Sequence, residues 1–341
     1  MRTLRCGIVG CGFFAQFHID AWRRLEGVEL VAAADPDPAR AAAAAPRAYP
    51  SLTAMLDAER LDLVDIATRP ETHLALVTEA LERGIPTICQ KPMAPTWEES
   101  RAMAAVAART GAPLMIHENW RWHPWYREAH RLIQSGAIGS PITYCFRARK
   151  RDGLGAEPYP DQPYFRAMPR LLIYETLIHP IDTARLLFGD VTHVYAETRR
   201  LNPNIAGEDL AFLLLSHESG LLGSIDGNRY TEGGYYEPRP GSPPLGEATF
   251  EGEEALLTLT TEGHLLRNGV SVWRNTVHTG YRGDCVLATQ RHFADHLVHG
   301  TPLETSAAEY LKSVALVEAA YLSAQRGARA ATAELLQNDA P

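Results

Sequence analysis

The sequence predicts an α/β domain built on a doubly wound parallel sheet, followed by an α+β domain with a largely antiparallel sheet. Three observations carry that prediction. Up to Asn119, short apolar runs alternate with segments of helical period, the pattern of right-handed βαβ units. Beyond Asn119, apolar and polar residues alternate one by one between glycine-containing turns, as an antiparallel sheet with one solvated or docked face requires. The length of 341 residues exceeds one ordinary core and suits two domains, with expected limits 1–120 and 121–341.

The elements follow in order. "RCGIVG" reads as a strand, "AQFHIDAWRRL" as a helix and "VELVAAAD" as a second strand. "SLTAMLDAE", "LDLVDIAT", "ETHLALVTEALERG" and "IPTICQ" continue the alternation, with Gly84 ending the third helix. "TWEESRAMAAVAARTG" is a helix with Thr96 as N-cap, Glu99 completing a capping box and Gly111 as its stop. "APLMIHEN" is the next strand, and "WYREAHRLIQSGAIG" a helix ended by Gly136. Strands are then expected in "ITYCFRARKRD", "THVYAETRRL", "LAFLLLSHESGLLGSIDGNRY" and "EATFEGEEALLTLTTEGHLLRN". "LLIYETLIHPIDTARLLFG" is a helical stretch between the first two, and "YYEPRPGSPPLGE" a loop. A long amphipathic helix, opened by Ser306 and Glu309 as a capping box, closes the chain. "ARAAAAAPRA" is too short to count as low complexity.

Composition narrows the function. With 45% hydrophobic and 22% charged residues the chain is that of an ordinary soluble protein. A net charge of −8 argues against nucleic-acid partners, which want a basic face. No apolar run approaches the ~18 residues of a membrane span. Glycines follow the single basic cluster of "MRTLRCGIVGCG", where a signal peptide would carry an apolar core, so a cytoplasmic protein is expected. The five cysteines form no C-x-x-C pair and no even framework; Cys6 and Cys89 read as core fillers.

The first candidate site is Gly10-Cys11-Gly12-Phe13-Phe14-Ala15, a G-x-G-x-x-A that follows a strand and opens a helix. Gly10 permits the tight turn, Gly12 a close approach to a pyrophosphate, and Ala15 tight packing of helix on sheet. Asp35 ends the second strand 25 residues after Gly10, where a ribose-binding acid belongs. It would repel a 2′-phosphate, Asp37 adds a second negative charge, and no arginine is expected beside either. NAD is therefore favoured over NADP.

Together with "TRPETH" after the third strand, "QKP" after the next and Glu175-Thr176-Leu177-Ile178-His179-Pro180-Ile181-Asp182, this loop resembles the glucose–fructose oxidoreductase/inositol dehydrogenase family, Gfo/Idh/MocA. The family has G-x-G-x-x-G/A, a short Pro-containing segment followed by His, an E-K-P motif and a D-x-G-x-H-x-x-D pattern. The resemblance covers essentially the whole chain. It implies a Rossmann domain plus a large, open, mainly antiparallel sheet, through which homodimers or homotetramers form. It also implies NAD(P)-dependent chemistry at a CH–OH group of a sugar or polyol. Lys91, His179 and Glu175 fall on the catalytic positions. The implied cofactor contacts are Gly10, Gly12, Phe13, Phe14, Asp35, Thr68, Arg69, Pro70, His73, Gln90 and Lys91. The implied substrate contacts are Lys91, Trp120, Arg121, Thr176 and His179. Three departures stand out: Gln90 for glutamate, Glu175 for aspartate and Leu177 for glycine. The last is expected to narrow the pocket or shift the His179 helix.

The chemistry suits those residue types. Oxidising an alcohol sends a hydride to the cofactor and a proton to a base. The imidazole of His179, with an unperturbed pKa near ~6.5, can take the proton. Glu175, four residues earlier on a helix, would share its face and orient it. Lys91, at the C-terminal edge of a parallel sheet, could hydrogen-bond the reacting oxygen, and Pro92 restricts the residue before it. Trp120, Trp122 and Trp125 offer flat surfaces for sugar faces or for core packing. "ARKRDG" is either a solvated strand end or a binder of polar substrate groups. His292, His296 and His299 have helical spacing without an acidic or cysteine ligand nearby, so no metal is expected.

An aldose 1-dehydrogenase producing a lactone is the leading expectation; a branched pentose such as apiose is suggested only by the look of "ENWRWHPWY". A cyclitol dehydrogenase, a dihydrodiol-type or keto-sugar reductase, and a non-catalytic NAD(H)-binding regulator are the alternatives.

Overall fold

Leu63–Ile66, Thr87–Gln90 and Leu114–His117 are buried at every position, as strands of a sheet covered on both faces are. The computed structural model describes residues 3–230 and 246–336. It divides into two units, Met1–Trp122 with Asp284–Leu311, and His123–Gly283 with Lys312–Pro341. The first boundary thus falls near the expected residue 120, but 284–311 returns to the first unit, which the limits 121–341 did not anticipate.

Among the described residues the first unit holds six parallel strands: β1 (Leu4–Val9), β2 (Val28–Ala34), β3 (Arg47–Tyr49), β4 (Leu63–Ile66), β5 (Thr87–Gln90) and β6 (Leu114–His117). Their order is β3-β2-β1-β4-β5-β6, reversing between β1 and β4, the switch point at which doubly wound sheets bind ligands. Helices α1 (Ala15–Arg24), α2 (Pro38–Ala44), α3 (Leu52–Ala58), α4 (His73–Glu82) and α5 (Trp97–Thr110) connect them. Thr96 caps α5 by accepting the Glu99 N–H at 3.2 Å, and its hydroxyl donates to the Glu99 carboxylate at 3.0 Å. The Ala-rich segment is α2: Asp37 accepts the Ala39 N–H, and Pro38 takes the first helical position. Three-residue β3 is too short to show alternation in sequence.

The returning segment supplies α8 (Cys285–His299), whose Phe293 and Ala294 join Ile19 and Trp22 of α1 in one core. Arg24 clasps Asp284 at 2.5 Å, and the backbones of Ile116 and Thr305 meet at 2.8 Å.

The second unit contains α6 (Pro124–Gln134), α7 (Ile178–Phe188), α10 (Ala333–Leu336) and the C-terminal part of α9 (Ala307–Arg326). Among the described residues its sheet has nine strands: β7 (Pro141–Arg149), β8 (Val191–Arg199), β9 (Leu210–His217), β10 (Leu222–Asn228), β11 (Gly246–Gly252), β12 (Leu256–Leu259), β13 (Leu265–Arg267), β14 (Val270–Trp273) and β15 (Ala330–Ala331). They run in the order β14-β13-β12-β11-β7-β10-β9-β8-β15. Only β7 and β10 pair in parallel; the other pairs are antiparallel. The expected helical stretch 171–189 has two forms, since Leu172–Leu177 is π-helical before α7 begins. The loop expected at 235–247 lies outside the described residues except for Gly246 and Glu247, which start β11. No helix among the described residues is long and apolar enough to cross a membrane.

One close approach sets the thickness of the second core. The Tyr144 ring lies over Gly223 of β10, bonds His217 Nε2 at 2.8 Å and stacks on Phe188 at 4.8 Å. A Cβ at position 223 would stand 1.9 Å from Tyr144 Cζ. Gly223→Ala should therefore cost about 1–3 kcal/mol through overpacking. A lowered urea midpoint at unchanged m-value is the measurement that checks it.

Candidate active site

The glycine loop is shaped for an anion. Gly10 has φ +85°, and a Cβ there would meet the Ala67 oxygen and Thr68 Cγ2 at 2.8 Å, so the tight turn against β4 excludes a side chain. At Gly12 an added Cβ would meet nothing within 4 Å, so the protein itself gives no packing reason for glycine there. Phe14 caps α1 without a side-chain hydrogen bond, and the first turn carries no acid. A helix start of this kind directs its N–H groups toward an anion such as a phosphate. Phe13 is 55% exposed beside them.

Asp35 is buried, accepting the Cys11 N–H and the Asp37 N–H, each at 2.8 Å. It ties the glycine loop to the end of β2 and keeps lone pairs for ribose hydroxyls. The expectation of no arginine beside the acids is corrected here: Arg40, one turn into α2, pairs with Asp37 at 3.3 Å.

Thr68, Arg69 and Pro70 form the loop after β4 and the start of a short 3₁₀ turn, with the Thr72 hydroxyl donating to Thr68 Oγ1 at 2.7 Å. His73, expected as a cofactor contact, lies in the interior. It is fully buried, with Nδ1 3.1 Å from the Met93 oxygen and Nε2 3.2 Å from the Thr68 oxygen. Burial holds its pKa below the ordinary imidazole value, more than its backbone contacts to Met93, Thr68 and Pro92 raise it. Its work is to join the loop after β4 to the loop after β5.

Lys91 stands half-buried at the end of β5, with a cis peptide to Pro92. Its N–H donates to Gln90 Oε1 at 2.6 Å, and Gln90 Nε2 lies 3.0 Å from His18 Nε2. Gln90 is therefore turned into the interior, engaged with protein on both ends of its amide. Gln90 and His117 are register partners on β5 and β6, so Lys91 and Glu118 follow them side by side at the C-terminal edge of the sheet. Glu118 has no exposed surface; it accepts the Trp120 N–H at 3.1 Å and the Tyr310 hydroxyl at 2.9 Å. Burial pushes its carboxyl up, while the Lys91 charge, foremost among several, pulls it down. Sequence reading missed Glu118, although a charge ending a buried strand is the same signal that marked Lys91.

Trp120 and Arg121 belong to the first unit, in a 3₁₀ turn after β6, and both are buried. Arg121 reaches the Glu304 carbonyl at 3.3 Å and its carboxylate at 3.5 Å. Trp125 has no exposed surface and stacks on His123 at 4.5 Å, which makes it core. His292 accepts the Glu304 N–H at 3.1 Å, and His296 donates to the Thr301 carbonyl at 2.7 Å. The described residues contain no group of three potential metal ligands.

In the second unit His179 lies in the first turn of α7, 6% exposed. Its helix is anchored by Asp182, which accepts the Ser313 hydroxyl at 2.8 Å, and by Arg185, which bonds Ser313 and Asp190. Glu175 sits in the π-helical turn, so the α-helical i,i+4 geometry expected for Glu175 and His179 does not apply. The Glu175 carboxylate accepts the Thr176 hydroxyl at 2.7 Å and Arg229 Nη1 at 3.4 Å. Arg229 also donates to Thr176 Oγ1 at 3.0 Å, clasps Asp152 with two donors and lies over the Tyr159 ring at 4.5 Å. Lys150 completes the group 2.7 Å from Asp152, and burial followed by the Arg229 charge lowers its pKa. Within the basic cluster, Arg149 pairs with Asp226 and Lys150 with Asp152. Nothing in the sequence marks Arg229, an isolated arginine after a strand.

With this geometry in place, comparison with known proteins is decisive. The family model described as an oxidoreductase family with an NAD-binding Rossmann fold matches residues 4–118, and the Gfo/Idh/MocA C-terminal domain matches residues 126–257. The chain belongs to the Gfo/Idh/MocA oxidoreductase family. It is 37% identical to the D-apiose dehydrogenase of Paraburkholderia graminis, over 100% of this chain and 92% of that one. With the D-apiose dehydrogenase of Rhizobium rhizogenes it shares 34% identity over 96% of this chain and 97% of that one. Among solved structures, an oxidoreductase from Agrobacterium radiobacter in complex with NAD+, L-tartaric acid and magnesium aligns with a TM-score of 0.87 and 32% identity, covering 98% of this chain and 99% of that chain.

Within this Gfo/Idh/MocA chain each departure from the family motifs has a local partner. Gln90 faces His18, and Glu175 faces Arg229 and Thr176. Leu177 is buried over Gly227 of β10, where a Cβ would come within 2.7 Å of Leu177 Cδ1. The bulk added at position 177 is thus met by a glycine on the strand beneath it.

The two loop glycines should separate in their effects. Gly12→Ala is expected to leave the melting temperature unchanged while weakening NAD binding at least about tenfold, since only a ligand needs that space. Gly10→Ala should instead lower the melting temperature through strain at positive φ. Thermal melts and NAD titrations on both variants provide the check.

Proposed function

We propose that the chain oxidises a hydroxyl of a sugar with NAD, and that its substrate is an aldopentose of the D-apiose type, converted to a lactone. The observation carrying the sugar reading is the full-length similarity to two D-apiose dehydrogenases in a chain that retains both Lys91 and His179. Gly10, Gly12, the start of α1 and Asp35 are the residues that would hold the cofactor, with Phe13, Phe14, Thr68, Arg69 and Pro70 around it. NAD, when bound, supplies the hydride acceptor. Asp35 supports NAD over NADP; Arg40, paired with Asp37, is the one feature that weighs the other way.

In the proposed mechanism His179 accepts the proton of the reacting hydroxyl as the carbon gives up its hydride. Lys91 donates a hydrogen bond to that oxygen and stabilises its growing negative charge. Glu175 balances the imidazolium electrostatically from a position fixed by Arg229 and Thr176. The free thiol state of all five cysteines suits a reducing cytoplasm.

The second sheet supports self-association. Phe212 and Leu214 of β9, Leu222 of β10 and Leu256 of β12 share its outer face and are all exposed, Leu222 by 59%. An apolar band of this kind on an open sheet is suited to a second copy of the chain.

Turnover should be highest with D-apiose in a panel of aldoses and polyols at fixed NAD, with kcat/KM higher for NAD than for NADP; NADH absorbance reads both. Lys91→Ala and His179→Ala should each lower kcat by about 10²–10⁴-fold with NAD affinity little changed. Either variant turning over like the parent protein would remove that residue from the mechanism. Leu214→Asp should shift the particle to a smaller species in light scattering.

A further inference from the structure

Resting on the reading of Lys91 as catalytic, we infer that Gln90 is a positioning residue for it, clamped by a neutral His18 that carries its proton on Nδ1. A backbone N–H is a donor that cannot change role. The Lys91 backbone N–H lies 2.6 Å from one end of the Gln90 amide, so that end is the carbonyl oxygen. The other end is then NH₂, a donor, aimed at His18 Nε2 at 3.0 Å. His18 Nε2 must accept, and its proton resides on Nδ1, 2.8 Å from Asp65 Oδ2. Trp22 Nε1, which can only donate, reaches the same oxygen at 2.6 Å. Asp65 is therefore an acceptor at one end and Lys91 a donor at the other. Every hydrogen in between has a single consistent position.

The chain of bonds is buried throughout: His18 and Asp65 have no exposed surface, and Gln90 is 6% exposed. His18 is enclosed by Asp65 of β4, Gln90 of β5 and the stacked His117 ring of β6 at 4.0 Å. From the helices, Phe14 lies edge-on at 5.6 Å and Gln290 of α8 donates to the His18 carbonyl at 3.2 Å. Burial holds His117, the ring stacked on His18, well below the ordinary imidazole value. Burial and then Asp65 push the thiols of Cys6 and Cys89 up. Asp65 is thus the charge that His18 faces through Nδ1.

A carboxylate at position 90 would invert the requirement. It would accept from both Lys91 N–H and His18 Nε2, so His18 would need two protons and would stand charged between two acids. The glutamine at position 90 is matched to the neutral tautomer of His18. The same amide fixes the main chain from which the Lys91 side chain departs.

The test reads tautomer and catalysis separately. In ¹⁵N NMR of the parent protein, with His18 assigned by difference against His18→Gln, Nδ1 should be protonated and Nε2 bare. Gln90→Met should lower kcat about ten- to a hundredfold through misplacement of Lys91, with NAD affinity by fluorescence titration changed less than about threefold. Gln90→Glu should convert His18 to the doubly protonated form in the same spectrum.

A protonated Nε2 in the parent, or a Gln90→Met that loses NAD affinity while keeping kcat, would overturn the inference, the latter by making Gln90 a cofactor ligand. Should Gln90→Met fail to fold, the parent spectrum decides alone. Full activity in Lys91→Ala would remove the catalytic reading of Lys91 and leave the tautomer result standing.

Discussion

The hydrogen bond from the Lys91 main chain to the Gln90 amide is the constraint on which the interior of the first unit depends. It sets the direction of every bond behind it, through His18 to Asp65 and Trp22. A buried polar chain stabilises a fold only when each member is satisfied in one orientation, because a misdirected donor costs a full desolvation penalty. Here the chain links β5, α1 and β4 and is enclosed by their side chains. The same residues that complete the core therefore fix the strand end bearing Lys91.

The second unit reaches the same end with charges. Arg229 is buried against Asp152, Glu175, Thr176 and two aromatic rings. Removing a guanidinium from water is costly, and only several acceptors around it offset that cost. Each of those acceptors is in turn fixed by the arrangement. Glu175 is thus held by Arg229 and by its neighbour's hydroxyl, which a π-helical turn permits where an α-helix would place residues 175 and 179 one above the other. Asp182 and Arg185 secure the following helix through Ser313.

Most of the fold was legible because it rests on local signals. Short, mostly apolar runs, capping residues such as Thr96 and Ser306, and the stop at Gly111 all act within a few positions. The parallel sheet and its glycine loop followed from them. What escaped depends on contacts distant in sequence. The return of Cys285–His299 to the first unit rests on Phe293 packing with Trp22, and helical period alone does not say which core a helix faces. The short β3 and the exposed β14 bury too little to leave an alternating pattern. In the site, Lys91, His179, Glu175 and the loop glycines were marked by motif, whereas Arg229 and Asp152 acquire meaning only through their pairing. The burial of His73 between two backbone carbonyls is likewise invisible in sequence.

The substitution at position 90 then has a physical consequence for Lys91. An ammonium at the end of a buried strand needs some negative potential nearby, and in this chain residue 90 contributes none. Glu118 stands one strand away at the equivalent edge position, fully buried, with its two oxygens held by Trp120 N–H and the Tyr310 hydroxyl. Its carboxyl feels the Lys91 charge directly. A second carboxylate at position 90 would lie between that pair and His18, and would draw a proton into the core to balance itself. The carboxylate beside Lys91 thus comes from β6, and β5 contributes an uncharged amide. The departure from the family motif is therefore a transfer of electrostatic support from one strand to its neighbour.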